Sequence, residues 1–282
     1  MEELKQALIE LVSILSVPAI ASVWLWAANE LYYRAFGRYK YRAILTTGII
    51  GTPVHETAHA VTAILFGMKV TEIAFFKPDP VSQTLGYVTY QYNPSYFIHR
   101  LGMLFTGLAP LFAGAYLVYW FFSVTHLPNL HGFFVLSDQR MLAEIGTLRA
   151  LGQWAFTMVE CITSWDAVLA ILGAMMVGLH ATPSVADLKG CLRGALAVLV
   201  VLLTYWGVLK LLPSPPELLI VKSVQWLNHL GTAILQMALL SVLGAVALSA
   251  VGFATNRIIL KKKRLNAARF RLESGEKSGE PL

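Results

Sequence analysis

The sequence predicts an all-α polytopic membrane protein with about six transmembrane helices and a short membrane-associated β-hairpin between the second and third. Three observations carry that reading. Of the 282 residues, 56% are hydrophobic and only 13% charged, about half the charged share usual in a soluble domain. Several apolar runs reach the ~20 residues that cross a bilayer core of about 30 Å. One stretch, residues 69–93, departs from them: β-branched and aromatic residues partly alternate around a turn-forming KPDPVSQ.

The elements follow in order. Positions 11–29 carry no charge and form the first span, kinked at Pro18. No basic region or small-residue cleavage site accompanies this run, so it reads as a retained anchor. The basic, aromatic RAFGRYKYR of residues 34–42 suits a connection at headgroup level. A second helix covers about residues 43–67 with one charged residue, Glu56. After the hairpin, a third helix begins beyond His99-Arg100. Residues 126–150 read as a mixed loop and 151–165 as an interfacial helix. Residues 167–186 form a fourth helix interrupted at Pro183, about 190–209 a fifth, and 231–255 the last.

Residues 1–260 thus form a single transmembrane domain, its catalytic core at about 43–194. Residues 261–282 form a basic cytoplasmic tail whose end is disordered. The cluster at 261–264 places the C-terminus in the cytoplasm. An even helix count places the N-terminus there too and leaves the four positive charges of residues 34–42 outside, against the same rule. The net charge of +6 lies in short segments beside apolar runs, which suits anionic lipid, and nucleic acid is not an expected partner. Cys161 and Cys191, the two cysteines, make no disulfide framework and read as small buried hydrophobes.

The chemistry concentrates in His55-Glu56-Thr57-Ala58-His59, an H-E-x-x-H motif. On a helix, i and i+4 lie on one face, so two imidazoles can share a zinc ion while the glutamate reaches the water that the metal activates. Two histidines and a glutamate in an apolar span are costly without a function. A catalytic site needs a third protein ligand and one open position. His180 and Asp187, both near the end of the fourth helix, are the candidates. At about 1.5 Å per residue His59 lies ~24 Å along its helix, His180 ~21 Å and Asp187 ~32 Å along theirs, which leaves both open. Asp187 also suits a helix-start cap before LKGCLRG. Glu30, Glu160 and Asp166 read as interfacial, and His126 and His131 as residues of a solvated loop.

These features resemble the site-2 protease class of intramembrane metalloproteases over about residues 43–194. The resemblance rests on HETAH in a spanning helix and on a β-rich segment before a helix carrying Gly107-Leu-Ala-Pro110-Leu. Pro183-Ser-Val-Ala-Asp187-Leu-Lys-Gly190, which looks like the family's Asn-Pro…Asp-Gly element, completes it. It implies Asp187 as third zinc ligand beside His55 and His59, Glu56 as catalytic acid–base, and cleavage of transmembrane substrates near the cytoplasmic face. Thr182, Leu188 and Ala113 depart from the family's usual Asn, Gly and Asn. An exposed strand edge at residues 85–92 would pair with an unwound substrate. Leu85, Tyr87 and Thr89 on that edge, with Thr182 and Ser184, are the expected substrate contacts. The expected partners are a transmembrane protein or peptide and membrane lipid, in the plasma (inner) membrane of a prokaryote. Other readings are a prenyl-protein-protease-like enzyme using Glu160, a metal transporter, or a proteolytically inactive zinc-binding protein.

Overall fold

The computed structural model describes residues 2–130, 144–211 and 217–273. They form α1 (Glu2–Phe36), a 3₁₀ turn (Gly37–Tyr39), α2 (Lys40–Leu65), β1 (Lys69–Ala74), β2 (Tyr87–Gln91) and α3 (Phe97–Val124). Four helices follow: α4 (Glu144–Cys161), α5 (Trp165–His180), α6 (Val185–Leu211) and α7 (Glu217–Glu273). The chain is mostly helical, with one antiparallel two-stranded sheet. Among the described residues two helical segments are long and apolar enough to cross a bilayer, Phe97–Val124 and His229–Lys262. Trp165–His180 is apolar but shorter.

Helix limits differ from expectation where hydropathy is a poor guide. The expected fourth helix over 167–186 stops at His180, residues 181–184 leave the helix, and Asp187 lies in the first turn of α6. Pro183 disfavours helical backbone at Thr182. Ser184 and Asp187 then start a new helix reciprocally: the Ser184 N–H donates to Asp187 Oδ2 (2.7 Å) and the Asp187 N–H to Ser184 Oγ (3.2 Å). The last helix, expected over 231–255, runs unbroken for 57 residues. Residues 261–273 of the basic tail thus continue this helix; 274–282, the end expected to be disordered, lie outside the described residues, as does His131.

The main core joins Leu25 of α1, Leu111 and Phe122 of α3, Trp154 of α4, Ala174 of α5 and Met237 of α7. A second cluster packs Tyr32, Ala43, Leu179 and Ala245, and a third sets Leu104 and Leu108 against Cys191 and Val198. Both cysteines are free. Contacts between α3 and α6 are backbone-close. A Cβ at Gly107 would fall 2.4 Å from the Asp187 carbonyl oxygen, and one at Gly194 2.5 Å from the Leu104 nitrogen. Small residues at helix crossings are the usual means of such an approach in apolar bundles.

α1 and α7 meet at their basic ends. Asn256 Nδ2 donates to the Ala35 carbonyl at 2.6 Å, and Gly252 abuts Phe36. The basic segments at 34–42 and from Arg257 onward therefore share one end of the molecule, contrary to the opposite sides an even count implied.

In the hairpin, Lys69 pairs with Gln91, Val70 with Tyr90, Glu72 with Thr89, Ile73 with Val88 and Ala74 with Tyr87, with a bulge between Val70 and Glu72. The strands coincide with the expected β segment. Leu85, expected on the strand edge, lies outside β2 and is buried.

Candidate metal centre

α2 carries Thr52, His55, Glu56 and His59 at helical spacing, so all four share one face. That face meets α3 and the α5–α6 break. His55 Nδ1 lies 2.6 Å from the His180 carbonyl oxygen, and His59 Nδ1 2.9 Å from that of Thr106. A carbonyl only accepts, so each Nδ1 carries the proton and each Nε2 presents a lone pair. Those two Nε2 atoms are 3.0 Å apart, and Asp187 Oδ1 is 3.5 Å from His59 Nε2. Ligand atoms of His55, His59 and Asp187 all lie within 4.8 Å of one another. Three lone-pair donors converging on one point repel unless a cation lies among them. Two imidazoles and a carboxylate are a donor set suited to zinc, with a fourth position left for chemistry. The residues fit such an ion.

Each donor is held from outside. Asp187 is fixed by its cap with Ser184, which keeps Oδ2 occupied and leaves Oδ1 toward His59. The His180 ring does not join the three. Its Nε2 meets the Thr47 hydroxyl at 3.0 Å, while its backbone carbonyl orients His55. Asn29 of α1 holds the break by donating to the Leu179 carbonyl (2.7 Å) and the Thr182 hydroxyl (3.2 Å). Gly51 admits the close approach of α2 to α5, since a Cβ there would lie 2.5 Å from the Met176 carbonyl oxygen and 2.6 Å from His180 Cβ.

Glu56 is only 8% exposed and makes no side-chain hydrogen bond among the described residues. A Cβ at Gly86, the residue before β2, would lie 3.0 Å from Glu56 Cγ, so the chain entering β2 packs against this side chain. The three buried side-chain atoms without a hydrogen-bond partner among the described residues are Asn29 Oδ1, Thr52 Oγ1 and Thr106 Oγ1. All belong to residues that bracket the site. Buried polar atoms rarely stay unpaired, and ordered water is their usual partner.

The expected substrate contacts divide. Thr182 and Ser184 lie in the break beside the site. Leu85 is buried against α2, whereas Tyr87 and Thr89 are engaged within the hairpin: the Tyr87 hydroxyl donates to Glu72, which raises its pKa, and Thr89 Oγ1 faces the Glu72 carbonyl. Glu30 pairs with Arg34 at the surface, and Glu160 lies exposed at the end of α4. Asn29, Thr47 and Thr106 escaped sequence reading, and Gly107 was read for its motif and not for its contact with Asp187. Thr47, Gly48, Gly51 and Thr52 could have been found as a small-residue stripe on the HExxH face. No protein-family model matches the chain, and no curated protein or solved structure matches it.

Proposed function

We propose that the chain is an intramembrane zinc metalloprotease of the site-2 class, cutting peptide bonds of transmembrane substrates. The observation that carries this reading is the pair of Nε2 atoms 3.0 Å apart, each ring locked through Nδ1 on a carbonyl, with Asp187 Oδ1 closing the group. His55, His59 and Asp187 would hold the ion. Zinc bound there supplies a Lewis acid that lowers the pKa of water and polarises the scissile carbonyl. Glu56 takes a proton from the attacking water and returns it to the departing amine nitrogen. Burial without a hydrogen-bond partner suits that task, since the carboxylate is spent on no structural contact. A purely structural metal site needs no such carboxylate.

A multi-pass membrane location is part of the proposal. Two segments are long and apolar enough to span. Large apolar side chains also face outward on other helices: Ile64 and Leu65 on α2, Leu169 on α5, Leu192 and Leu196 on α6. Exposed apolar surface on this scale supports lipid as the surroundings. With both basic segments at one end, the lysine–arginine rule is met by placing that end in the cytoplasm, which keeps the C-terminus cytoplasmic and moves the N-terminus outside.

The test pairs metal content with turnover. About one zinc per chain is expected in detergent-purified wild type and much less in Asp187→Ala. Glu56→Gln should keep the metal and lose cleavage of a transmembrane substrate. Zinc-free wild type that cannot be reloaded, or turnover surviving in Glu56→Gln, overturns the reading.

A further inference from the structure

The loop before β2 does something a hairpin turn has no need to do. Val81 to Thr84 are exposed, Val81 at 91%, and then Leu85 drops to 7%. Its cradle lies on the HExxH face of α2. A Cβ at Gly48 would fall 2.3 Å from Leu85 Cδ1, 3.1 Å from Thr52 Oγ1 and 3.3 Å from His180 Cε1. These three groups therefore line one small space that glycine at 48 leaves free. Thr52 Oγ1, at the cradle wall one turn before His55, is one of the unpaired buried atoms. The next residue, Gly86, lies against Glu56.

The loop is built to deliver this leucine. The Lys77 N–H donates to the Leu85 carbonyl at 2.6 Å and the Asp79 N–H to that of Thr84 at 2.9 Å. Asp79 accepts from the Val81 and Ser82 N–H groups and from the Ser82 hydroxyl. Leu85 thus occupies the space adjoining the proposed catalytic carboxylate as a substrate residue would.

We propose that the Gly48–Thr52–His180 cradle is a substrate subsite for an aliphatic side chain of leucine size next to the scissile bond, and that Leu85 is its resting occupant, displaced when substrate enters. The inference rests on the protease reading for the identity of its ligand. It adds a specificity determinant and a reason for the unpaired Thr52 hydroxyl, which is placed to donate to a carbonyl of the incoming backbone. Bulky aromatic side chains exceed a space that one leucine fills. A resting occupant also keeps lipid off Glu56 between turnovers.

The experiment reads displacement without requiring turnover. Leu85→Cys is made in a background with Cys161→Ala and Cys191→Ala, and its alkylation rate by a water-soluble maleimide is measured in detergent. The probe is a synthetic transmembrane peptide of about 24 residues with one leucine beside a helix-breaking Gly-Pro, compared with its sibling carrying alanine there. The leucine peptide should speed labelling on the order of tenfold, and the alanine peptide should not. Val81→Cys should label fast in every condition. Gly48→Ala, which puts a methyl in the cradle 2.3 Å from the Leu85 Cδ1 position, should abolish the leucine peptide's effect and supplies a second route to the answer. Labelling that ignores the leucine peptide, or that responds to it equally in Gly48→Ala, overturns the subsite. The same response in Glu56→Gln or after chelation, with no cleavage by the zinc-loaded wild type, sinks the protease reading and leaves a peptide-binding cradle standing.

Discussion

Gly107→Ala tests the proposed metal centre through backbone packing without altering a side chain of the proposed ligands. The new Cβ would lie 2.4 Å from the Asp187 carbonyl oxygen, 2.5 Å from Cys191 Sγ and 3.2 Å from the Asp187 carbonyl carbon. A relaxed carbon–oxygen contact needs about 3.3 Å, so α3 and α6 must separate by roughly 1 Å at the level of Asp187. His59 stays with α3, because its Nδ1 is held by the neighbouring Thr106 carbonyl at 2.9 Å. Asp187 moves with α6. Its Oδ1, now 3.5 Å from His59 Nε2, would retreat to about 4.5 Å, several times the ~0.2 Å that ligand distances tolerate. Overpacking of this kind costs about 1–3 kcal/mol. If the strain is relieved by giving up the third ligand, zinc affinity falls about 10–100-fold. Competition against a chromophoric chelator measures it, with thermal unfolding alongside. Gly207→Ala is the control: nothing lies within 4 Å of its Cβ, so it should gain up to about 1 kcal/mol from helix propensity. Folded Gly107→Ala protein with zinc affinity within about twofold of wild type would refute the packing argument.

Other outcomes follow from the same geometry. Asn29→Ala leaves the Leu179 carbonyl without its side-chain donor, so it should cost about 1 kcal/mol in unfolding and weaken zinc binding though it touches no ligand. Cysteines at Arg38 and at Lys261 should react with an impermeant reagent from the same side of oriented vesicles; labelling from opposite sides would exclude the arrangement of α1 and α7 described above. For Asp79, hydrogen bonds from the Ser82 hydroxyl and the Val81 and Ser82 N–H groups hold the carboxyl below its ordinary range. Its folded pKa is depressed, so its hold on the loop is present above the unfolded value and lost as pH falls through the folded one. A nitroxide at Val81→Cys should gain mobility on acidification, whereas Asp79→Asn should be mobile throughout; identical profiles would remove Asp79 from the account.

Much of the site was legible because its chemistry is written in local spacing. His55, Glu56 and His59 need only a helix to share a face, and α2 supplies it. The hairpin strands announced themselves through β-branched and aromatic residues. Asp187 was readable both as cap and as ligand: Oδ2 forms the cap with Ser184, and Oδ1 faces His59. What escaped depends on contacts between distant segments or on backbone atoms. His180 was weighed as a ring when its carbonyl is the part that meets His55, and a carbonyl has no sequence signature. Leu85 looked like one more strand residue, since its burial depends on Gly48 far upstream. Helix ends were missed for another reason: hydropathy marks where a chain meets headgroups, and α7 continues as helix well past that point. The co-location of the two basic segments followed from an Asn256–Ala35 contact that no local pattern encodes.

The interval from His180 to Asp187 has a consequence for how this protein can diverge. At its first residue a carbonyl sets the angle of one imidazole; at its last a carboxylate meets the other. In between, Pro183 and the Ser184 cap fix where the next helix begins. The segment works as a ruler. One residue more or fewer between Ser184 and Asp187 would turn Asp187 by about 100° around α6 and shift it ~1.5 Å along the axis. Related chains can therefore vary these positions by replacement but not by length, and a search for distant kin should hold that interval constant while letting the loops around it drift.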